Sequence, residues 1–268
     1  MTGRFGAVRS PAVAGTFYPS TPDDVQRAIR DAFVEAVPRS VDAPIPEAIV
    51  VPHAGYVYSG AVAASAYQRI APARETIRHV VLLGPSHRVP VRGLALPSTD
   101  AFETPLGLVP IDDEARSRVL GQSAVQIDDR AHAVEHSLEV QLPFLQSVLD
   151  DFTLLPLSVG DATTEEVSNV LEACWGGSET LVVISTDLSH YRPYEDAVGF
   201  DARTAAAIVA CRPDAISDAD ACGARPVRGL LRCAADRGLI VEQLDLRNSG
   251  DTAGDHDRVV GYGAFAVG

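Results

Sequence analysis

The chain has 268 residues, of which 46% are hydrophobic and 22% are charged, and its formal net charge is -14 at pH 7. This ordinary globular composition argues against a disordered chain, and the negative charge argues against a nucleic-acid partner because phosphate binding requires clustered cations. No stretch approaches the roughly 20 apolar residues that span a bilayer. The N-terminus has no apolar signal-peptide core, so we expect a cytoplasmic protein without a membrane partner.

Short apolar runs alternate with helical patterns along the chain. Apolar runs without polar alternation predict buried strands, and apolar residues at every third or fourth position predict helices. In chain order, the predictions are strand 48–51, helix 59–70, strand 79–83, strand 93–96, helix 112–120, helix 137–149, strand 152–159, strand 181–185, helix 197–211, helix 226–236, strand 239–246 and strand 259–267. Ser59 is a candidate N-cap of the first helix, and Pro226 is expected to open the last one.

The alternation of strands and helices predicts an α/β fold. We expect a mostly parallel or mixed central sheet with helices on both faces. The sequence contains no internal repeat and no low-complexity segment. A single domain over residues 1–268 is the first expectation, and two domains are the alternative at this length.

Three histidines each follow a different predicted strand by one to five residues. His53 lies in PHAGYVYSG, His87 in GPSHR and His190 in TDLSHY. Ligands of parallel α/β sheets bind at the carboxyl ends of the strands, where these histidines would meet. Imidazole is a common ligand of iron, zinc, copper and nickel. One such histidine is more often structural, but three from separate strands predict a shared metal or catalytic site.

Four further residues could belong to that site. Asp187 could bind a metal, orient a histidine through its second ring nitrogen, or form an Asx turn. Glu135 and His136 precede a predicted helix and could supply a base or a hydrogen-bond donor, or cap that helix. Cys222 is one of four cysteines without CxxC spacing. It is either a small buried residue or a thiolate that binds metal near a helix N-terminus.

Seven segments, in chain order, match one known family: RSPAVAGTFYP, VPHAGYVYSG, LLGPSHR, EHSLEVQLPFL, STDLSHY, ACGARPV and NSGDTAGDHDRVVGYGAFA. In these segments the chain resembles the Memo family, also called AmmeMemoRadiSam system protein B in prokaryotes. The segments run from near the N-terminus to the C-terminus. The resemblance therefore covers nearly the whole chain.

The resemblance implies a fold similar to the catalytic subunit of class III (LigB-type) extradiol dioxygenases, and hence one domain. In the family, the histidine of PHAGY, the histidine of GPSH and the cysteine of the CG motif are metal ligands. The corresponding residues here are His53, His87 and Cys222. Iron (Fe2+) is the metal that the resemblance favours, with copper or zinc also open.

The resemblance also implies that His190, Asp187, Glu135 and His136 line the pocket around the metal as catalytic residues. His190 would act as acid or base or donate a hydrogen bond to O2, and Asp187 would orient a ligand or be a fourth one. Two imidazoles and a thiolate leave open positions on iron, as O2 activation requires. The dioxygenases complete their ligand triad with a carboxylate, so a thiolate would change the redox chemistry.

Three functions remain open. The first is a metal-dependent redox enzyme, dioxygenase-like, acting on a small or aromatic substrate. The second is a non-catalytic iron-binding or scaffold protein, since animal relatives are associated with phosphotyrosine peptides. Arg225 and Arg228 are the candidate phosphate ligands, although a solvated helix face is the commoner explanation for two nearby arginines. The third is an accessory component that works with a radical SAM enzyme and an AMMECR-type protein.

Overall fold

A computed structural model describes residues 6–268, so the first five residues of the predicted domain lie outside the described part. In residues 6–268 the helices and strands are, in chain order, β1 (Val8–Arg9), α1 (Pro22–Glu35), β2 (Ala48–Val51), α2 (Tyr56–Ile70), β3 (His79–Pro85), β4 (Leu94–Leu96), β5 (Ala101–Thr104), β6 (Gly107–Pro110), α3 (Asp113–Val119), β7 (Val125–Ile127), α4 (Arg130–Ala133), α5 (Leu142–Val148), β8 (Thr153–Val159), α6 (Thr164–Cys174), β9 (Thr180–Ser185), β10 (His190–Arg192), α7 (Tyr194–Val209), α8 (Ala224–Arg237), β11 (Val241–Asn248) and β12 (Val259–Val267). Within this range, no helix has the length and apolar character needed to cross a membrane.

A mixed sheet of nine strands occupies the centre of the described chain. Its order is β10-β12-β2-β9-β3-β8-β4-β7, and β11 pairs with β12. The central strands β2, β9, β3 and β8 are parallel neighbours, whereas β12 runs antiparallel to β2 and β4 runs antiparallel to β8. The predicted α/β class with a mixed sheet is confirmed. The parallel centre brings the carboxyl ends of β2, β9 and β3 to one edge.

Helices cover both faces of this sheet. Successive side chains of a strand point to opposite faces, and all four residues of β2 are buried because each face carries a core. Ile49 and Val51 pack in one core with apolar residues of α1, α2 and α5. Ala48 and Val50 pack in the other with residues of α3, α6 and α8. This double burial explains why the central strands read as unbroken apolar runs.

Three predicted helix starts are wrong by two or three residues; one of them is the helix predicted from Ala197, which begins at Tyr194. The helix predicted from Ser59 begins at Tyr56, with Gly55 at the N-cap position. Ser59 lies within the first turns, where its hydroxyl donates to the Ala54 carbonyl at 3.0 Å. The helix predicted from Pro226 begins at Ala224. A proline is tolerated throughout the first helical turn because the N–H groups there have no partner within the helix.

The predicted helix 137–149 is divided into two pieces. A 3-10 turn covers Glu139–Gln141, and α5 covers Leu142–Val148. Pro143 explains the division, because its ring clashes with the carbonyl four residues earlier and it lacks an N–H group. The leucine spacing alone predicted one longer helix.

Candidate metal centre

The loops that follow β2, β3 and β9 meet at one edge of the sheet. His53 lies just beyond β2 and His87 just beyond β3, and their ring centroids are 5.2 Å apart. Asp187 follows β9, and its Oδ1 accepts the backbone N–H of His53 at 2.7 Å. The strand pairing therefore produces the convergence that the sequence predicted for His53 and His87.

Three imidazoles form the group that we call the imidazole cluster: His53, His87 and His136. Each offers one ring nitrogen, and these nitrogens lie within 4.8 Å of one another. The rings of His87 and His136 stack with centroids 4.7 Å apart. His53 stands nearly perpendicular to both, at 77° and 88°. Imidazole nitrogens at these separations could hold one metal ion.

Glu135 orients His87. Its carboxylate accepts a hydrogen bond from the backbone N–H of His87 at 2.6 Å and a second one from the ring Nδ1 of His87 at 2.9 Å. Burial alone would raise the pKa of Glu135, but hydrogen bonds from His87 and Ser137 lower it to about 2. Because an ionised carboxylate can only accept hydrogen bonds, Nδ1 of His87 carries a proton, and in a neutral imidazole this leaves the Nε2 lone pair free.

His53 is held as a neutral imidazole. Its side chain is buried, and burial, together with the neighbouring His136 and His87, lowers its pKa well below the ordinary value. Its Nδ1 lies 2.9 Å from the hydroxyl of Ser185. Neutral imidazole is the form that binds metals.

His136 has a ring nitrogen that the described residues leave unsatisfied. Its Nδ1 is buried and makes no hydrogen bond within residues 6–268, although Glu135 Oε1 lies 3.2 Å away. Burial lowers the pKa of His136 to about 4, so the ring is neutral at pH 7. Buried polar atoms in native proteins are nearly always paired. A ring nitrogen without a partner, beside two other imidazoles, fits a metal ion.

Cys222 contacts the imidazole cluster on one side only. Its Sγ lies 3.3 Å from Nε2 of His53 and accepts the backbone N–H of Asp187 at 3.3 Å. Burial raises the pKa of this thiol to about 12. Among the described residues, the potential ligand atoms that all lie within 4.8 Å of one another come from His53, His87 and His136, and Cys222 is not in this group. Ligation by Cys222 therefore stays a prediction, while His53 and His87 belong to both ligand sets.

Asp187 and His190 border the same cavity as the imidazole cluster. Burial raises the pKa of Asp187 to about 6, against the lowering effect of its hydrogen bond from His53. The His190 side chain is exposed, and its Nδ1 lies 2.9 Å from the carbonyl of Leu188. Since a carbonyl only accepts, Nδ1 of His190 is the protonated nitrogen.

The cavity has a volume of about 610 Å³. Besides the cluster, Asp187 and His190, its wall includes aromatic and basic side chains: Phe17, Tyr58, Tyr191, Tyr262, Arg88 and Arg258. None of these six was predicted as a site residue, although all of them lie in the segments that match the family. The signal was strongest for Arg88, which directly follows His87 in GPSHR.

The arginines beside Cys222 are engaged elsewhere. Arg225 pairs with Asp161 at 2.7 Å and with Asp218 at 3.0 Å. Arg228 pairs with Asp218 at 2.7 Å. The described cavity wall around the imidazole cluster includes neither arginine. A structural role therefore explains both better than phosphate binding does.

Comparison with known proteins shows which family this chain resembles. The family model described as Memo-like protein matches residues 9–266. A MEMO1 family protein of Aquifex aeolicus is 38% identical, over 95% of this chain and 97% of the relative. A second, from Methanosarcina barkeri, is 36% identical over 97% of this chain and 100% of the relative. An uncharacterized protein of Escherichia coli K12 has a similar fold, with a TM-score of 0.52 and 15% identity over 80% of this chain and 98% of its own.

Proposed function

The chain belongs to the Memo-like protein family, and from this premise we propose that it binds one divalent iron ion at the imidazole cluster. The observation that carries the proposal is the convergence of three imidazoles, one of which has a buried nitrogen that the described residues leave unsatisfied. Copper and zinc accept the same ligands, so the identity of the metal is part of the test.

Two candidate ligand sets share His53 and His87 and differ in the third ligand. His53 and His87 would bind the ion in either case. Cys222 is the third ligand implied by the family resemblance, and its Sγ lies 3.3 Å from His53 Nε2. The high pKa of this buried thiol means that the metal would have to displace its proton. His136 is the third ligand favoured by distance.

We propose further that the protein is a redox enzyme, similar to LigB-type dioxygenases, that acts on a small aromatic substrate. Bound iron would supply the open coordination positions that O2 activation requires. The aromatic side chains of the cavity would hold the ring of the substrate. Arg88 and Arg258, which share the wall with Asp187 and Asp255, would pair with an acidic group of the substrate.

Two residues could move protons at this site. The carboxyl of Asp187 has a pKa of about 6, so it can exchange a proton near neutral pH. With Nδ1 bonded to Leu188, His190 would present Nε2 as the second exchangeable position. We assign Asp187 and His190 the acid and base roles, and Glu135 the role of orienting His87.

The test is anaerobic purification with Fe2+, followed by metal analysis and O2 uptake on catechols with and without a carboxylate. We expect about one iron per chain and faster uptake with the acidic catechols. His87→Ala should lose the iron. Absence of iron, copper and zinc from the purified protein would contradict the proposal.

Iron without turnover on any phenol would instead support the alternatives. These are a non-catalytic iron-binding or scaffold protein, and an accessory component of a radical SAM modification system with an AMMECR-type partner. Iron binding by Cys222→Ser and His136→Ala decides the third ligand. If one of these variants keeps full iron affinity, the residue replaced in it is not a metal ligand.

A further inference from the structure

We infer that Ser185 and Gln141 are positioning residues that hold His53 in the tautomer with the proton on Nδ1, which leaves Nε2 free for the metal. This inference rests on the proposed metal site. It concerns two buried residues that lie in matching segments but were given no role there.

The hydroxyl of Ser185 has its proton committed. Ser185 is the last residue of β9, and its Oγ lies 2.6 Å from the backbone carbonyl of Ser137. A carbonyl can only accept, so the single hydroxyl proton of Ser185 points to Ser137. Every other polar contact of this oxygen must then be one in which it accepts.

Gln141 occupies one of the remaining lone pairs. Its Nε2 donates to Ser185 Oγ at 2.8 Å and to the Pro52 carbonyl at 2.9 Å. Its Oε1 accepts the hydroxyl of Tyr67 at 2.9 Å. Because the Pro52 carbonyl needs a donor, the amide cannot be reversed without facing one acceptor with another. The Gln141 side chain therefore ties the segment before His53 to Ser185.

His53 must donate to the lone pair that is left. Its Nδ1 lies 2.9 Å from Ser185 Oγ, which has no proton to give it. A neutral imidazole with the proton on Nδ1 has a bare Nε2, and this atom faces Cys222 Sγ at 3.3 Å. Without the network, the competing tautomer would donate from Nε2 to the sulfur and block the metal-binding lone pair.

The test begins with 15N NMR of the histidine-labelled, metal-free protein. His53→Gln identifies the His53 signals, and we expect Nδ1 to carry the proton in the wild type. Ser185→Ala should shift protonation toward Nε2 and weaken Zn2+ binding by about 10–100-fold, as loss of a partner that orients a ligand typically does. Gln141→Met frees Ser185 Oγ to reorient, so it should shift the tautomer part of the way.

Ser158→Ala is the matched control. Ser158 is a fully buried serine on β8 of the same sheet, and its hydroxyl has no partner among the described residues. It should keep the wild-type tautomer and Zn2+ affinity. A wild type protonated on Nε2, or a folded Ser185→Ala or Gln141→Met that keeps the Nδ1 proton and full affinity, would overturn the inference. A wild type that binds no metal would refute the proposed function, and the metal-free spectra would still decide the tautomer.

Discussion

Glu135 organises the imidazole cluster at the scale of single residues. One carboxylate accepts the ring and backbone N–H of His87 and, through Oε1, the backbone N–H groups of His136 and Ser137 at 3.0 Å each. The sequence left helix capping and catalysis as alternatives for this residue. In the structure, Glu135 both accepts neighbouring backbone N–H groups and orients the ring of His87. The second role depends on a loop 48 residues away in the chain, so the sequence could not show it.

Glu135→Gln is expected to weaken Zn2+ binding by about 10–100-fold, because an amide cannot accept on both sides and His87 loses a fixed orientation. Isothermal titration measures the affinity. Glu114→Gln, an exposed carboxyl with 88% of its side chain accessible, is the control and should bind like the wild type. Equal affinities for the two variants would remove Glu135 from the site.

Among the helices and strands, the predicted bounds were most accurate for strands that are buried and therefore apolar along their whole length. Strand 259–267 was predicted with its observed bounds because it is a nearly continuous apolar run. Helices α1 and α6 were missed, although both begin with readable caps. Thr21 precedes Pro22 at the start of α1, and Thr163 caps the start of α6.

The site was predictable to the extent that it follows strand ends. His53 and His87 could be placed because each lies just beyond an apolar strand. Ser185 and Gln141 could not, because their roles depend on contacts between segments 44 residues apart in the chain. Strand ends could not decide the third ligand, since neither His136 nor Cys222 directly follows a predicted strand.

The loop of Cys222 depends on a close approach at Gly223. A Cβ added there would lie 2.7 Å from the Thr186 side chain and 2.9 Å from the Ser185 carbonyl. We expect Gly223→Ala to lower the free energy of unfolding by about 1–3 kcal/mol, measured by urea denaturation. Gly121→Ala, whose Cβ would find its nearest atom at 4.0 Å, should change little. Comparable losses for the two variants would refute the packing argument.

At the scale of the whole molecule, a buried ion pair joins the N-terminal segment to the site. Arg9 of β1 pairs with Glu139, and it also donates to the carbonyls of His132 and Glu135 at 2.9 and 2.8 Å. Glu139 further accepts the hydroxyl of Tyr18 at 2.7 Å. The three-stranded sheet of β1, β5 and β6 is thereby joined to the segment of Glu135, whose carboxylate orients His87.

Arg9→Met should lower the free energy of unfolding by about 3–5 kcal/mol, because it leaves the Glu139 carboxylate buried without its cation. Chemical denaturation measures the loss. Arg27→Met breaks an exposed pair with Asp24 and should have a far smaller effect. A loss for Arg9→Met no larger than that of Arg27→Met would contradict the account.

Acid should destabilise the metal-free protein through His132. Burial lowers the pKa of this histidine to about 4, from an ordinary value of 6.5. Between these values the unfolded chain binds the proton more tightly, so stability falls as pH drops through this window and levels off below it. The loss from His132 amounts to about 2 kcal/mol between pH 7 and pH 5. His132→Gln should reduce the difference measured by urea denaturation, and an unchanged difference would exclude His132 as its source.

The position of a bound ion would test the proposed metal site directly. Anomalous X-ray diffraction at the iron edge, from crystals grown anaerobically with Fe2+, locates it without reference to activity. We predict one peak within bonding distance of ring nitrogens of both His53 and His87. An ion bound elsewhere on the chain, or these two rings without an ion at full iron loading, would contradict the account.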